Sequence, residues 1–221
     1  MEFRLPETDL VIFDCDGVLV DSEDLSCRCL SDALTQAGIE MSTEQALERF
    51  LGRSTAAVLE YCQSVGQPIP ANFLADLAGQ VRETFRAQLK AIPGVATVLA
   101  ELRLPYCVAS SSDLDRVKFS LELTGLASYF AQRLYTSQMV ERGKPAPDLF
   151  LHAAGRMGFD PCRTLVIEDS ISGVLAAKAA GMKVWGFVGG AHYRLRDGSA
   201  LLRDAGADRI FAAMTDFWTE G

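Results

Sequence analysis

The chain has 221 residues, 49% of them hydrophobic, and a formal charge of −8, so it can bury a sizeable core without covalent staples. Its acids are scattered, which leaves no basic face for nucleic acid or another polyanion, and no apolar run is long enough to cross a bilayer. Met1 to Pro6 show neither a basic nor an apolar leader pattern, and a cytoplasmic location is expected.

In chain order, Leu10-Val11-Ile12-Phe13 reads as a buried strand running directly into Asp14-Cys15-Asp16-Gly17. Two carboxylates one residue apart at the end of such a strand aim charge at a partner, although Asp-Gly is also ordinary turn chemistry. From about Ser22 to Ala91 the pattern is helical throughout. Leu25, Cys29, Ala33, Leu34 and Ala37 share one stripe before Gly38; Ser42 caps a short helix carrying Ala46, Leu47 and Phe50 and ending at Gly52. Ser54 opens a third helix, and Ala71 to Ala91 forms a fourth. After Pro93-Gly94, helices and strands alternate. Helices are predicted over 95–102, 114–125, 147–158 and 173–181, and strands over 106–109, 133–136, 164–167, 183–188 and 209–211. Alternation of this kind predicts a parallel sheet with helices on both faces.

The predicted fold class is therefore α/β, a Rossmann-like doubly wound parallel sheet, with an inserted all-helical cap. The core takes residues 1–20 and 92–221 and the cap residues 21–91, with short crossings at Val20 to Ser22 and Ile92 to Gly94 that can act as hinges. The six cysteines form no CxxC pair or zinc-type spacing and read as free thiols. Cys15, between the two acids, reads as a packing residue, as do Trp185 and Trp218. His152 and His192 support no catalytic triad, and Gly189-Gly190-Ala191-His192-Tyr193 reads as a glycine turn with a substrate-side role as its alternative.

In such sheets ligands bind at the carboxyl ends of the strands. Those ends carry Asp14 and Asp16, then Ser110-Ser111-Ser112 ahead of a helix N-terminus, then Glu168-Asp169-Ser170, with Gly143-Lys144-Pro145-Ala146-Pro147 preceding the last. Hard carboxylates crowded together repel unless a cation joins them. An all-oxygen set without His or Cys favours Mg2+. Metal and lysine together neutralise a phosphate, so one carboxylate can attack phosphorus while its neighbour handles protons. Taken singly, the serines also read as a cap or loop and Lys144 as a solvated charge.

With these residues in view, the chain resembles the haloacid dehalogenase-like hydrolases, in particular the group that includes β-phosphoglucomutases and phosphogluconate phosphatases. Four motifs match in order: Phe13 to Glu23, Val108-Ala109-Ser110-Ser111, Gly143 to Asp148, and Val166 to Gly173. The resemblance implies Asp14 as nucleophile forming an aspartyl phosphate and Asp16 as general acid/base. It further implies Mg2+ held by Asp14, the Asp16 carbonyl and Asp169 with Glu168 nearby, and phosphate held by Ser110, the Ser111 amide and Lys144. Asp16 speaks against a true dehalogenase. A mutase would place His and Lys where Ser26 and Leu51 stand. The expectation is thus a phosphatase acting on a small phosphorylated metabolite, a sugar or sugar-acid phosphate. Gly52, Arg53 and Asp113 are candidate substrate contacts, and a monomer is compatible. A phosphomutase and a non-catalytic phosphometabolite binder are the alternatives.

Overall fold

The computed structural model describes residues 7–53, 55–194 and 196–219. Six parallel strands, β1 (Leu10–Phe13), β2 (Tyr106–Ser110), β3 (Leu134–Thr136), β4 (Thr164–Glu168), β5 (Lys183–Phe187) and β6 (Arg209–Phe211), form one sheet in the order β3-β2-β1-β4-β5-β6. Strand side chains alternate, so each face has its own core. Val11 and Phe13 pack with α5 (Val95–Glu101), α6 (Leu114–Leu123) and α7 (Ala127–Phe130) through Val98, Leu121 and Phe130. Leu10 and Ile12 pack with α8 (Asp148–Met157), α9 (Ile171–Ala179) and α10 (Gly198–Asp204) through Phe150, Val174 and Leu202. β1 is buried along its whole length, which is why it reads as an unbroken apolar run. The strand order reverses between β1 and β4, in register Phe13 opposite Ile167, and a crevice opens there at the carboxyl ends.

Between β1 and α5 lie α1 (Glu23–Gln36), α2 (Thr43–Phe50), α3 (Thr55–Ser64) and α4 (Phe73–Gln88). Ser42 caps α2 with a reciprocal bond to Gln45; Ser54, expected to open α3, lies outside the described residues, as do Met1 to Pro6. The single α1 stripe expected from the sequence is in fact two. Leu25 and Cys29 face Val81 and Phe85 of α4, whereas Cys27, Leu30 and Leu34 face α2 and α3. This helix is sandwiched, so apolar residues recur on both sides. α4 stops at Gln88 rather than Ala91 because the chain must re-enter the sheet domain extended. Asp21 N–H donates to Lys90 O at 2.9 Å and Ile92 N–H to Leu19 O at 2.9 Å, with Val20 opposite Ala91. The two crossings are hydrogen-bonded to each other as a strap. The helices α7 and α10 were not expected from the sequence: α7 is only four residues long, and α10 buries little beyond Gly198 and Leu202.

All six thiols are free, and Cys15 belongs to the core on the Val11 face of the sheet. Trp185 and Trp218 pack against Phe217, and His152 meets Tyr135 edge to face. Among the described residues no helix is long and apolar enough to cross a membrane.

Candidate active site

The carboxyl ends of β1 and β4 bring Asp14 and Glu168 to opposite sides of one lysine. Lys144 Nζ donates to Asp14 Oδ1 at 2.6 Å, to Glu168 Oε1 at 2.6 Å and to Ala109 O at 3.0 Å, and its side chain is 1% exposed. The two carboxylates hold its pKa above the ordinary value, although burial acts the other way. Glu168 Oε2 accepts from the backbone N–H and the hydroxyl of Ser170, 2.9 Å each. Both of its oxygens are thereby engaged, one by Lys144 and the other by Ser170.

Asp16 sits in a web of donors. Ser22 Oγ donates to its Oδ1 at 2.6 Å, Ser112 Oγ to Oδ2 at 2.7 Å, and Arg116 Nη2 to Oδ1 at 3.0 Å; Ser110 Oγ lies 3.5 Å from Oδ2. Burial would raise its pKa, but the Arg116 charge and these hydrogen bonds outweigh it and hold the carboxyl below its usual value. Asp14 differs. Burial raises it well above the usual carboxylate range, Lys144 opposes this, and Glu168, Asp169 and Asp16 add to it. Asp169 is likewise raised, first by burial and then by Glu168.

Asp14, Asp16, Glu168 and Asp169 are all buried, and the cations that contact them, Lys144 and Arg116, leave two negative charges unbalanced if every acid ionises. Asp169 Oδ2 is buried without a hydrogen-bond partner. Gly17, at φ +79°, makes room for that carboxylate, because a Cβ there would lie 1.7 Å from Asp169 Oδ2. An excess of hard oxygen donors with one orphaned buried carboxylate oxygen suits a divalent cation such as Mg2+ that keeps some water and substrate in its shell. Among the described residues no three His, Cys, Asp or Glu side chains form a ready-made cage. Two carboxylates, Asp14 and Asp169, with a backbone carbonyl are therefore what the chain offers.

The helical block reaches the same edge. Gly52 O accepts from Ser111 Oγ at 3.1 Å and from Ser172 Oγ at 3.0 Å. At φ +69° a Cβ on Gly52 would come 2.4 Å from Ser170 Cβ, so glycine is needed for both backbone shape and close approach. Arg53, next in sequence, is exposed and makes no side-chain hydrogen bond or ion pair among the described residues. Asp113, expected near substrate, is exposed and accepts from Arg116 N–H at 2.8 Å as the N-cap of α6. Arg116 and Ser22 were not singled out as site residues in the sequence. The available signal for Arg116 was its position one helical turn after the serines, on the face turned back toward the strand ends.

A doubly wound sheet with buried acids and a lysine at its switch point defines a hydrolytic or transfer enzyme for a small anionic substrate. Residues 11–187 match the haloacid dehalogenase-like hydrolase family, and the chain belongs to it. It is 28% identical to the 6-phosphogluconate phosphatase of Escherichia coli K12 over 83% of this chain and 84% of that protein. To a phosphorylated carbohydrates phosphatase of Thermotoga maritima it is 32% identical over 90% and 92%. Among solved structures, a haloacid dehalogenase-like protein of unknown function from Agrobacterium tumefaciens is 38% identical, with a TM-score of 0.81 over 95% of this chain and 96% of that one.

Proposed function

We infer that this chain is a cytoplasmic Mg2+-dependent phosphatase that hydrolyses a small phosphorylated metabolite, a sugar or sugar-acid phosphate. The observation that carries the reading is Lys144 buried between Asp14 and Glu168. A fixed ammonium beside a carboxylate is what a phosphate needs when an anion is to attack it. The named phosphatase activity of relatives matched over most of their length supports the substrate class. Free thiols and the absence of an apolar spanning helix among the described residues agree with the location.

In this reading Asp14 attacks phosphorus through an oxygen not held by Lys144. The P–O bond to the leaving alcohol breaks, and Asp16 gives that oxygen a proton from its protonated form, which its lowered pKa makes the minor one in the resting site. An aspartyl phosphate remains. Water then attacks the same phosphorus, Asp16 takes its proton, and the P–O bond to Asp14 breaks, releasing phosphate and restoring the carboxylate. Lys144, Ser110 and the Ser111 amide hold the phosphoryl oxygens. A metal held by Asp14, the Asp16 carbonyl and Asp169 supplies charge neutralisation at the phosphate. Residues 21–91 serve as a cap that docks through Gly52 and carries Arg53 to the rim, over a core of 1–20 and 92–221. The position at which a mutase would carry a catalytic His is Ser26, whose hydroxyl is committed to Ser22 O and Arg116.

Phosphate release from p-nitrophenyl phosphate and from a panel including 6-phosphogluconate and hexitol phosphates tests the proposal. The expected result is Mg2+-dependent turnover that disappears in Asp14→Asn. Release without Mg2+, or unchanged in that variant, would sink it.

A further inference from the structure

The turn that follows β5 contains Gly189-Gly190-Ala191-His192-Tyr193, none of which the reaction above uses. Its side chains nevertheless converge on Asp169. The Tyr193 hydroxyl donates to the main-chain carbonyl of Asp169. His192 Nε2 lies 3.1 Å from Asp169 Oδ2, with side-chain exposures of 0% and 1%. Neither imidazole nitrogen makes a well-aligned hydrogen bond. A buried imidazole costs free energy unless something engages it, and the orphaned carboxylate oxygen lies within reach of its Nε2.

The turn is built to hold that ring. Gly190 has no room for a side chain, because a Cβ would meet His192 Cε1 at 2.6 Å and would sit 3.4 Å from Gly17 O. The imidazole folds back over the glycine and toward the loop that carries Asp16 and Gly17. Ala191 N–H donates to Asp21 Oδ1 at 2.9 Å, which anchors the turn to the crossing between core and cap. The charged and titratable neighbours on the packed elements are Asp21, Glu23 and Asp24 from the helical side and Arg196 from the turn itself.

We propose that Gly189 to Tyr193 is the support of the metal-side carboxylate. Tyr193 fixes the backbone of Asp169 and His192 fixes the rotation of its carboxyl group, so that the carboxylate keeps its place against Gly17 at the strand end. Both are positioning residues. They act through Asp169 and need not touch substrate. Partners that orient a ligating carboxylate commonly affect metal affinity by 10–100-fold. The inference rests on the phosphatase reading only in taking Asp169 to face a divalent cation.

The test is calorimetric titration of the full chain with Mg2+ alone, beside the Mg2+ dependence of phosphate release. His192→Ala and Tyr193→Phe are expected to weaken Mg2+ binding by about tenfold or more, while the maximal rate at saturating Mg2+ stays within a few-fold of the parent. His192→Gln, which keeps a donor near Oδ2, should recover part of the affinity. Gly190→Ala, which pushes the ring aside without removing it, should reproduce the His192→Ala loss. Mg2+ affinity within twofold of the parent in both His192→Ala and Tyr193→Phe would overturn the proposal. So would a lowered rate at saturating Mg2+ with affinity intact. If His192→Ala fails to fold, Tyr193→Phe and Gly190→Ala decide the matter. Failure of the phosphatase reading looks different: the parent would bind Mg2+ with the same dependence on these residues but release no phosphate.

Discussion

Replacing Lys144 by Met removes one charge from a pocket where two buried carboxylates share it. The side chain is 1% exposed and sits 2.6 Å from both Asp14 Oδ1 and Glu168 Oε1, so water cannot replace it without reopening the site. Breaking a buried pair in this way costs about 3–5 kcal/mol. For a chain of this size that is a fall in melting temperature of roughly 6–20 °C at about 2–4 °C per kcal/mol. The pH dependence has a definite sign. Burial already raises Asp14 and Lys144 opposes it, so Lys144→Met moves the folded-state pKa further above the unfolded one. A group raised in this way contributes its full share below the unfolded pKa, about 4, and loses it as pH rises through the folded pKa. The deficit of the variant should be small at pH 4 to 5 and should widen toward pH 8. Thermal denaturation of both proteins across that range in EDTA measures it, and phosphate release should fall by at least about a hundredfold. A pH-independent deficit, or equal stability at pH 8, would refute the argument that Lys144 compensates these acids.

Gly17→Ala places a methyl 1.7 Å from Asp169 Oδ2 at a φ of +79°, so it displaces that carboxylate and should abolish thermal stabilisation by Mg2+; an unchanged Mg2+-induced shift would show that the cation does not depend on Asp169. Gly52→Ala collides with Ser170 and should raise KM or lower kcat by blocking docking of the cap loop; wild-type kinetics would contradict it. Arg116→Met removes the cation that lowers Asp16. Stability should drop by about 1.5–3 kcal/mol at pH 7, and because a depressed pKa stabilises only above the unfolded value, the loss should vanish as pH falls below about 4, as urea titrations at the two pH values would reveal. Asp113→Ala removes only a helix cap, costing about 1 kcal/mol, and kcat/KM should stay near the parent value.

The doubly wound core was legible because its signals are local. Apolar runs such as Leu10 to Phe13 are long enough to read, and each ends in the polar residues that the sheet then gathers along one edge. Asp14, Asp16, Lys144 and Asp169 could be picked out for that reason. What was not legible depends on three-dimensional reach. Whether Glu168 faces a cation or Lys144 is decided by Ser170 and by the approach of α9, and whether Asp113 meets substrate or caps α6 is decided by a single backbone turn. Arg116 was passed over because an arginine in an amphipathic helix usually faces water, and only its direction along the helix carries it back to Asp16. His192 was passed over because its partner lies 23 residues earlier at the end of a different strand.

The contacts across the crevice also set how readily it can open. Apart from the bonds of Asp21 and Ser22 at the strap, three hydrogen bonds among the described residues tie the helical block to the core around the site: Ser111 and Ser172 to Gly52 O, and Arg116 to Ser26. At about 0.5–1.5 kcal/mol each, releasing them costs roughly 1.5–4.5 kcal/mol, a gap that leaves a minor open population for substrate entry. The strap between Val20 and Ala91 is bonded on both sides and need not break for that movement. Ser22, at the edge of the strap, donates to Asp16, while Arg116 joins the same carboxylate to Ser26 of α1. Opening therefore removes a donor's anchor from Asp16 while leaving Asp14, Lys144 and Glu168, all within the sheet core, as they are. On the proposed mechanism the proton carrier would sense the cap and the nucleophile would not, which is the division that a phosphatase needs if water is to reach an aspartyl phosphate only when Asp16 is in place.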